Sequence, residues 1–226
     1  MRNYYSETFK KGKYDDYEAV FKEWLQETII EVLDSELGNP CHYLPHRGMF
    51  KGNSTTKVRP VFDASCRSKN SLSLNDCLET VPNLIENIPP LLMRFRQKEI
   101  GVVLDIKKPF LQISVAKEDQ DFLRFIWWED YKERKQKIYR HRRVVFELTS
   151  SPFLLAAVLD YHLEQNESHF PETVEKLTNA FYVDNCITSI TSQDELKKFI
   201  FEAKRILATG CFDLRGWEHS SLTGEE

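Results

Sequence analysis

No stretch of the chain is long and apolar enough to span a bilayer. The longest uninterrupted apolar run, Phe153 to Leu159, has seven residues, against roughly 20 for a spanning helix, so no membrane partner is expected. The opening residues Met1-Arg2-Asn3-Tyr4-Tyr5-Ser6 lack the apolar core of a secretory signal. The five cysteines (Cys41, Cys66, Cys77, Cys186, Cys211) are odd in number, and no two form C-x-x-C. Reduced thiols in a cytoplasmic setting are therefore expected. The six histidines contain no H-E-x-x-H and no zinc-finger spacing, which argues against structural zinc. Repeats and low-complexity segments are also missing. Lys+Arg 31 against Asp+Glu 35 leaves −4, so the total charge predicts no polyanion partner. What remains, 226 residues at 41% hydrophobic and 29% charged, excludes fibrous and wholly disordered classes and allows one large or two small domains.

The even total hides local excess. Residues 132–143 hold Lys132, Arg134, Lys135, Lys137, Arg140, Arg142 and Arg143 against Glu133 alone. Residues 42–69 hold six cations against Asp63. Such segments either gather phosphates or are solvated hairpins, and charge by itself does not choose.

Tyr17, Val20, Phe21, Trp24, Leu25, Val32 and Leu33 follow helical spacing, which predicts an amphipathic helix over about 14–34 inside an N-terminal segment of 1–38. Residues 56–63 read as a strand, 64–76 as a polar loop, and 82–88 and 90–98 as short helices split by Pro89-Pro90. Ile100 to Ile106 is a near-continuous apolar run, the pattern of a strand buried on both faces. Strands are expected at 122–128 and 138–148, joined by the charged hairpin. Ser151-Pro152 opens a helix, with serine as N-cap, whose apolar first turns at 153–159 have to be buried. Residues 180–190 read as strand, turn and strand, with Asp184-Asn185 as the turn. Ser192 to Glu195 is a capping box for a helix ended by Gly210. This order predicts an α+β fold, an antiparallel sheet backed by helices.

Two carboxylates stand out. Asp105 lies at the end of the apolar strand and Asp184 at the tip of an apolar hairpin. Rigidly held side by side, two such acids suit Mg²⁺, a hard cation that prefers oxygen. Taken singly, each has a plainer reading, as a strand-end residue and as a turn residue.

YLPHRGMFK (43–51), STTKVRPVFDAS (54–65), LNDCLETVPNLIE (74–86), VVLDIKKPFLQISV (102–115), DFLRFIWW (121–128), YRHRRVVFELTSSPFLL (139–155), FYVDN (181–185) and FDLRGWE (212–218) occur in that order. Together they resemble the reverse transcriptase of BEL/Pao-type retrotransposons. The resemblance implies a right-hand palm with a fingers subdomain, thumb absent. The reverse transcriptase domain is expected over 39–218 (fingers about 39–98 and 117–150, palm about 99–116 and 151–218), with a tail at 219–226. It implies RNA-directed DNA polymerisation with two Mg²⁺ (Mn²⁺ as substitute), a template-primer of RNA or DNA, deoxynucleoside triphosphates, and the remainder of a Pol polyprotein. A virus-like particle or the nucleus are the other implied locations.

By the same resemblance, Asp105, Asp184 and Asn185 are the catalytic positions, the two aspartates being the metal ligands. Lys57, Arg59, Ile106 and Phe110 are nucleotide-binding, Lys57 and Arg59 toward the triphosphate and Phe110 beneath the sugar. Arg140, Arg142, Arg143, Ser151 and Pro152 belong to the nucleic-acid path. Read without the family, Lys57 and Arg59 are an outward pair on an edge strand and Phe110 a core aromatic. Four positions depart from the family pattern. Asn185 stands for a second aspartate, Pro109 for an alanine, Lys107 for an acid and Glu147 for a glycine. The alternative reading is a non-catalytic, truncated retroelement remnant that at most binds RNA.

Overall fold

The computed structural model describes residues 13–33, 38, 40–50, 58–79, 81–84, 88–130, 132–133 and 135–220. In chain order the early elements are α1 (Tyr14–Gln26), β1 (Ile30–Leu33), β2 (His46–Phe50), β3 (Val58–Phe62), α2 (Leu74–Cys77), α3 (Ile88–Phe95) and β4 (Ile100–Ile106). There follow β5 (Arg124–Asp130), β6 (Lys135–His141), α4 (Ser151–Glu164), α5 (Pro171–Thr178), β7 (Phe181–Tyr182), β8 (Asn185–Ile190), α6 (Gln193–Thr209) and β9 (Leu214–His219). Single 3₁₀ turns lie at Pro109–Gln112 and Gln120–Leu123. All strand pairings within the sheets are antiparallel, so the class is α+β. None of the described helices is long and apolar enough to cross a membrane. The chain forms two compact units, 1–80 with 113–151, and 81–112 with 152–226.

In the first unit α1 turns Tyr17, Phe21 and Trp24 inward, its i, i+4, i+7 face. They meet Phe62 of β3, Phe125 and Trp127 of β5 and Tyr139 of β6, for example Phe21 to Phe125 at 5.1 Å between ring centres. Burying each of these rings contributes about 1.5–3 kcal/mol. The helix stops at Gln26 rather than running to 34. Ile29 N–H donates to the Trp24 carbonyl and Thr28 N–H to that of Leu25, with Thr28 at φ +54°. That is a Schellman stop built on a threonine, and the freed residues 30–33 pair with β6. Strand β6 ends at His141, short of the expected 148, and the chain beyond it bonds to 113–115 instead, with Val115 N–H donating to the Arg142 carbonyl and Val144 N–H to that of Ile113.

In the second unit the sheet order is β7-β8-β4-β9. Helices α3 and α6 pack on β8, and α6 packs on β9 and α5. Residues 81–84 are not helical, and Pro89-Pro90 lie inside the first turn of α3 rather than between two helices. Their missing N–H groups are orphans there in any case. In α4 the apolar residues that are fully buried are Leu155, Leu159 and Leu163, while Phe153, Leu154 and Val158 stay half-exposed. Helix α6 begins as expected, with Ser192 Oγ accepting from Glu195 N–H. At its other end the left-handed residue is Cys211 at φ +62°, not Gly210. Gly210 is closely approached, since a Cβ there would stand 3.0 Å from the His162 ring.

Candidate active site

The position of Asp105 follows from its neighbours. Ile100, Val102, Leu104 and Ile106 of β4 are all buried, and alternation along the strand sends the half-buried Asp105 to the other face. Across the ladder Asp105 lies opposite Asn185 of β8, and Ile106 N–H donates to the Asp184 carbonyl at 3.0 Å. The two acids are thus neighbours across adjoining segments of one sheet end. Behind them Cys186 is part of the core, its thiol pushed up to about 12 by burial, which makes it inert.

Asp184 occupies a turn displaced by one residue from expectation. Tyr182 pairs with Asn185, so the loop residues are Val183 and Asp184, and Asn185 already belongs to β8 because its backbone faces Asp105. Val183 takes φ +57° and Asp184 does not share the positive sign, the pattern of a type II′ turn. A β-branched residue there carries strain on the order of 1–3 kcal/mol, held by the strands on either side. Asn185 Nδ2 donates to Asp184 Oδ1 at 3.0 Å and so orients that carboxylate.

On its other flank β4 meets a bulge in β9. Val103 pairs with Glu218 and Asp105 with Arg215, so Leu104 alone faces Gly216 and Trp217. Gly216, at φ +64°, supplies the left-handed residue such bulges use. Arg215 Nε donates to Asp105 Oδ2 at 3.1 Å. A Cβ on residue 216 would come within 2.9 Å of Asp105 Oδ1. Gly216→Ala is therefore expected to cost about 1–3 kcal/mol, read as a lower urea midpoint. A wild-type midpoint would contradict the strained, crowded environment described.

Past the strand, Lys107 is exposed and its N–H donates to the Asp213 carbonyl at 2.9 Å. Pro109 disfavours helical geometry at the residue before it, and Lys108 adopts φ +48°. This turn delivers Phe110 into a buried position, 5% exposed.

In the first unit Arg59 is exposed on β3 opposite Met49. Lys57 lies outside the described residues. Part of the charged run at 132–143 is paired with carboxylates. Lys135 and Lys137 each reach Glu129 at 2.5 Å. Arg140 is held by Glu31 through Nε (2.8 Å) and Nη2, and by Asp121 through Nη1 at 2.7 Å. Its guanidinium is thus shared between two carboxylates. Arg142 is exposed, and Arg143 Nη1 donates to Ser114 Oγ at 2.7 Å. Ser151 is buried, and its hydroxyl donates to the Val145 carbonyl instead of acting as an N-cap acceptor. Pro152 follows in the first turn of α4.

Two residues gain roles the sequence did not suggest. Arg215 is one. Asn75 is the other. Its Nδ2 donates to the Glu147 carbonyl and its Oδ1 accepts from Thr149 N–H, so one amide pins the turn that carries the exposed Glu147.

The donor chemistry suits Mg²⁺. Asp105, Asp184 and the Asn185 amide are all hard oxygen donors, and Mg²⁺ is ordinarily held by one or two carboxylates plus water and substrate phosphates. Among the described residues no group of three or more acidic, histidine or cysteine side chains is disposed to hold a metal.

A family model described as reverse transcriptase (RNA-dependent DNA polymerase) matches residues 49–213, well over half of the chain. The chain belongs to the reverse transcriptase family. Solved reverse transcriptases share this fold. A prototype foamy virus protease-reverse transcriptase mutant is 16% identical with a TM-score of 0.65, covering 88% of this chain and 23% of the other. A foamy viral protease-reverse transcriptase in complex with double-stranded DNA is 16% identical, TM-score 0.64, covering 88% and 36%. The chain thus covers 23% and 36% of the length of those two solved reverse transcriptases. No curated protein sequence matches it.

Proposed function

We propose that this chain is the fingers and palm of a BEL/Pao-type retrotransposon reverse transcriptase. Its reaction is RNA-directed DNA synthesis, nucleotidyl transfer from a deoxynucleoside triphosphate to a primer 3′-hydroxyl. The observation that carries the reading is the Ile106 N–H to Asp184 carbonyl bond, which brings two carboxylates to one end of a sheet inside the stretch matched by the family model. Two Mg²⁺ ions, or Mn²⁺, bound by these acids would lower the pKa of the 3′-hydroxyl and neutralise charge on the phosphoryl group during in-line displacement. Asn185 orients Asp184 and brings no charge of its own.

Arg59, exposed on its strand, offers a planar fork to the triphosphate, with Lys57 as its companion. Phe110 would lie under the incoming sugar, and the carbonyl of Ile106 would add an oxygen donor to a bound metal. Ser151-Pro152 start the helix beneath the template, and Arg142 and Arg143 face the nucleic-acid backbone. A template-primer as partner is supported by the solved relative in complex with double-stranded DNA. The remainder of a Pol polyprotein is the other partner.

A second reading, a non-catalytic domain that holds RNA, is favoured by Asn185 and by the Arg215 guanidinium on Asp105. Primer extension separates them. With the chain joined to a family thumb, Mg²⁺-dependent extension that disappears in Asp105→Asn supports the polymerase. No extension, even with Asn185→Asp and Glu147→Gly, together with salt-sensitive RNA binding that ignores Mg²⁺, overturns it.

A further inference from the structure

We infer that Arg215 is a resident cation on Asp105 which a divalent metal has to displace, so that the carboxylate alternates between an arginine-held and a metal-held state. The inference rests on the proposed metal site and adds a regulatory element to it.

The pairing is built into the sheet. In an unbroken ladder counted from Val103–Glu218, the residue opposite Asp105 would be Gly216, which has no side chain. The bulge at Gly216 moves the register by one residue and puts Arg215 there instead. Because Gly216 carries no Cβ, the carboxylate has room to turn toward the guanidinium. The contact runs through Nε and a single carboxylate oxygen, and the two side chains are 45% and 32% exposed. A pair of that kind is exchangeable, worth little against water. A divalent cation and a guanidinium on the same carboxylate repel one another, so occupancy by one opposes the other.

The test is Mn²⁺ binding to the 226-residue chain, followed by the free-ion EPR signal, with Arg215→Gln, Arg215→Lys and Asp105→Asn as variants. Arg215→Gln is expected to bind Mn²⁺ roughly two- to fivefold more tightly, the coupling of a part-exposed ion pair. Arg215→Lys should fall between it and the wild type, and Asp105→Asn should lose the site. Unchanged or weaker binding in Arg215→Gln, with the site lost in Asp105→Asn, overturns the inference and leaves the metal site standing. Unchanged binding in Asp105→Asn overturns both. Should Arg215→Gln not fold, the Arg215 Nε–H resonance of the wild-type chain decides. It is expected to shift in step with Mg²⁺ saturation, and a resonance indifferent to Mg²⁺ overturns the inference.

Discussion

Replacing Asp121 with alanine is expected to destabilise the first unit by about 3–5 kcal/mol, the cost of stripping one partner from a buried ion pair. Asp121 is 8% exposed and Arg124 0%. Asp121 Oδ1 accepts from Arg124 Nε and Nη2, at 3.1 and 2.9 Å, and from Arg140 Nη1 at 2.7 Å. Burial by itself would raise this carboxyl. The hydrogen bonds from Arg140 and Arg124 outweigh it and hold the group below the ordinary carboxylate value. Alanine leaves a fully buried guanidinium without its anion, whereas Arg140 keeps Glu31. A domain's whole stability is about 5–15 kcal/mol, so the variant should sit close to unfolding at room temperature. Urea titration followed by Trp24 and Trp127 fluorescence measures it. Pairing Asp121→Leu with Arg124→Leu should recover much of the loss, because the pair is costly to halve and cheap to replace. A double variant as unstable as Asp121→Ala would mean that the charges themselves hold the fold.

What the sequence disclosed was what local chemistry fixes. The run 100–106 declared its strand through its short length and its Ile and Val content. Ser192 declared the start of α6 through its own cap. The placing of Asp105 and Asp184 at the ends of apolar segments was legible for the same reason. Features hidden from view depend on partners far along the chain or on residues in uncharacteristic backbone states. Thr28 and Cys211 end helices in the left-handed region where glycine is the usual signal. The turn at Val183 is set by the pairing of β8 with β4, and the residues of the hairpin alone favour Asp184-Asn185. Arg140 belongs to Glu31, 109 positions away, and Arg215 to Asp105, 110 positions away. No pattern of charge along the chain separates such cations from those left to solvent, so nothing in the basic run 132–143 marked Lys135, Lys137 and Arg140 as paired with carboxylates.

Mild acid should unfold the first unit through two histidines that the fold keeps neutral. His46 lies in the aromatic core with Tyr17 O–H at 2.6 Å from Nδ1 and the Ile126 carbonyl 3.0 Å from Nε2. A carbonyl only accepts, so Nε2 carries the proton and Nδ1 accepts from the tyrosine. Burial lowers this imidazole to about 4, against the opposing effect of the Ile126 bond. His141 packs between Phe62 and Phe125, and among the described residues neither ring nitrogen has a hydrogen-bond partner. Burial, aided by His46, lowers it to about 3. Both folded values lie below the unfolded value near 6.5, so the unfolded state binds more protons as pH falls. The stabilisation is complete above about 6.5 and is lost on descending toward 4 for His46 and 3 for His141, at roughly 1.4 kcal/mol per pH unit per ring. The Asp121 carboxyl is held below its usual range and titrates beneath this window, so the histidines dominate between pH 6.5 and 5. Urea midpoints at those two pH values test the assignment. His141→Phe should flatten the dependence by about half and hold or raise stability at pH 7, since the ring it replaces satisfies no polar group. His46→Phe should flatten it equally but lose about 1–3 kcal/mol at pH 7, because the Tyr17 hydroxyl is then buried without its acceptor. A pH profile identical in the wild type and both variants would show that neither ring is the acid-sensitive group.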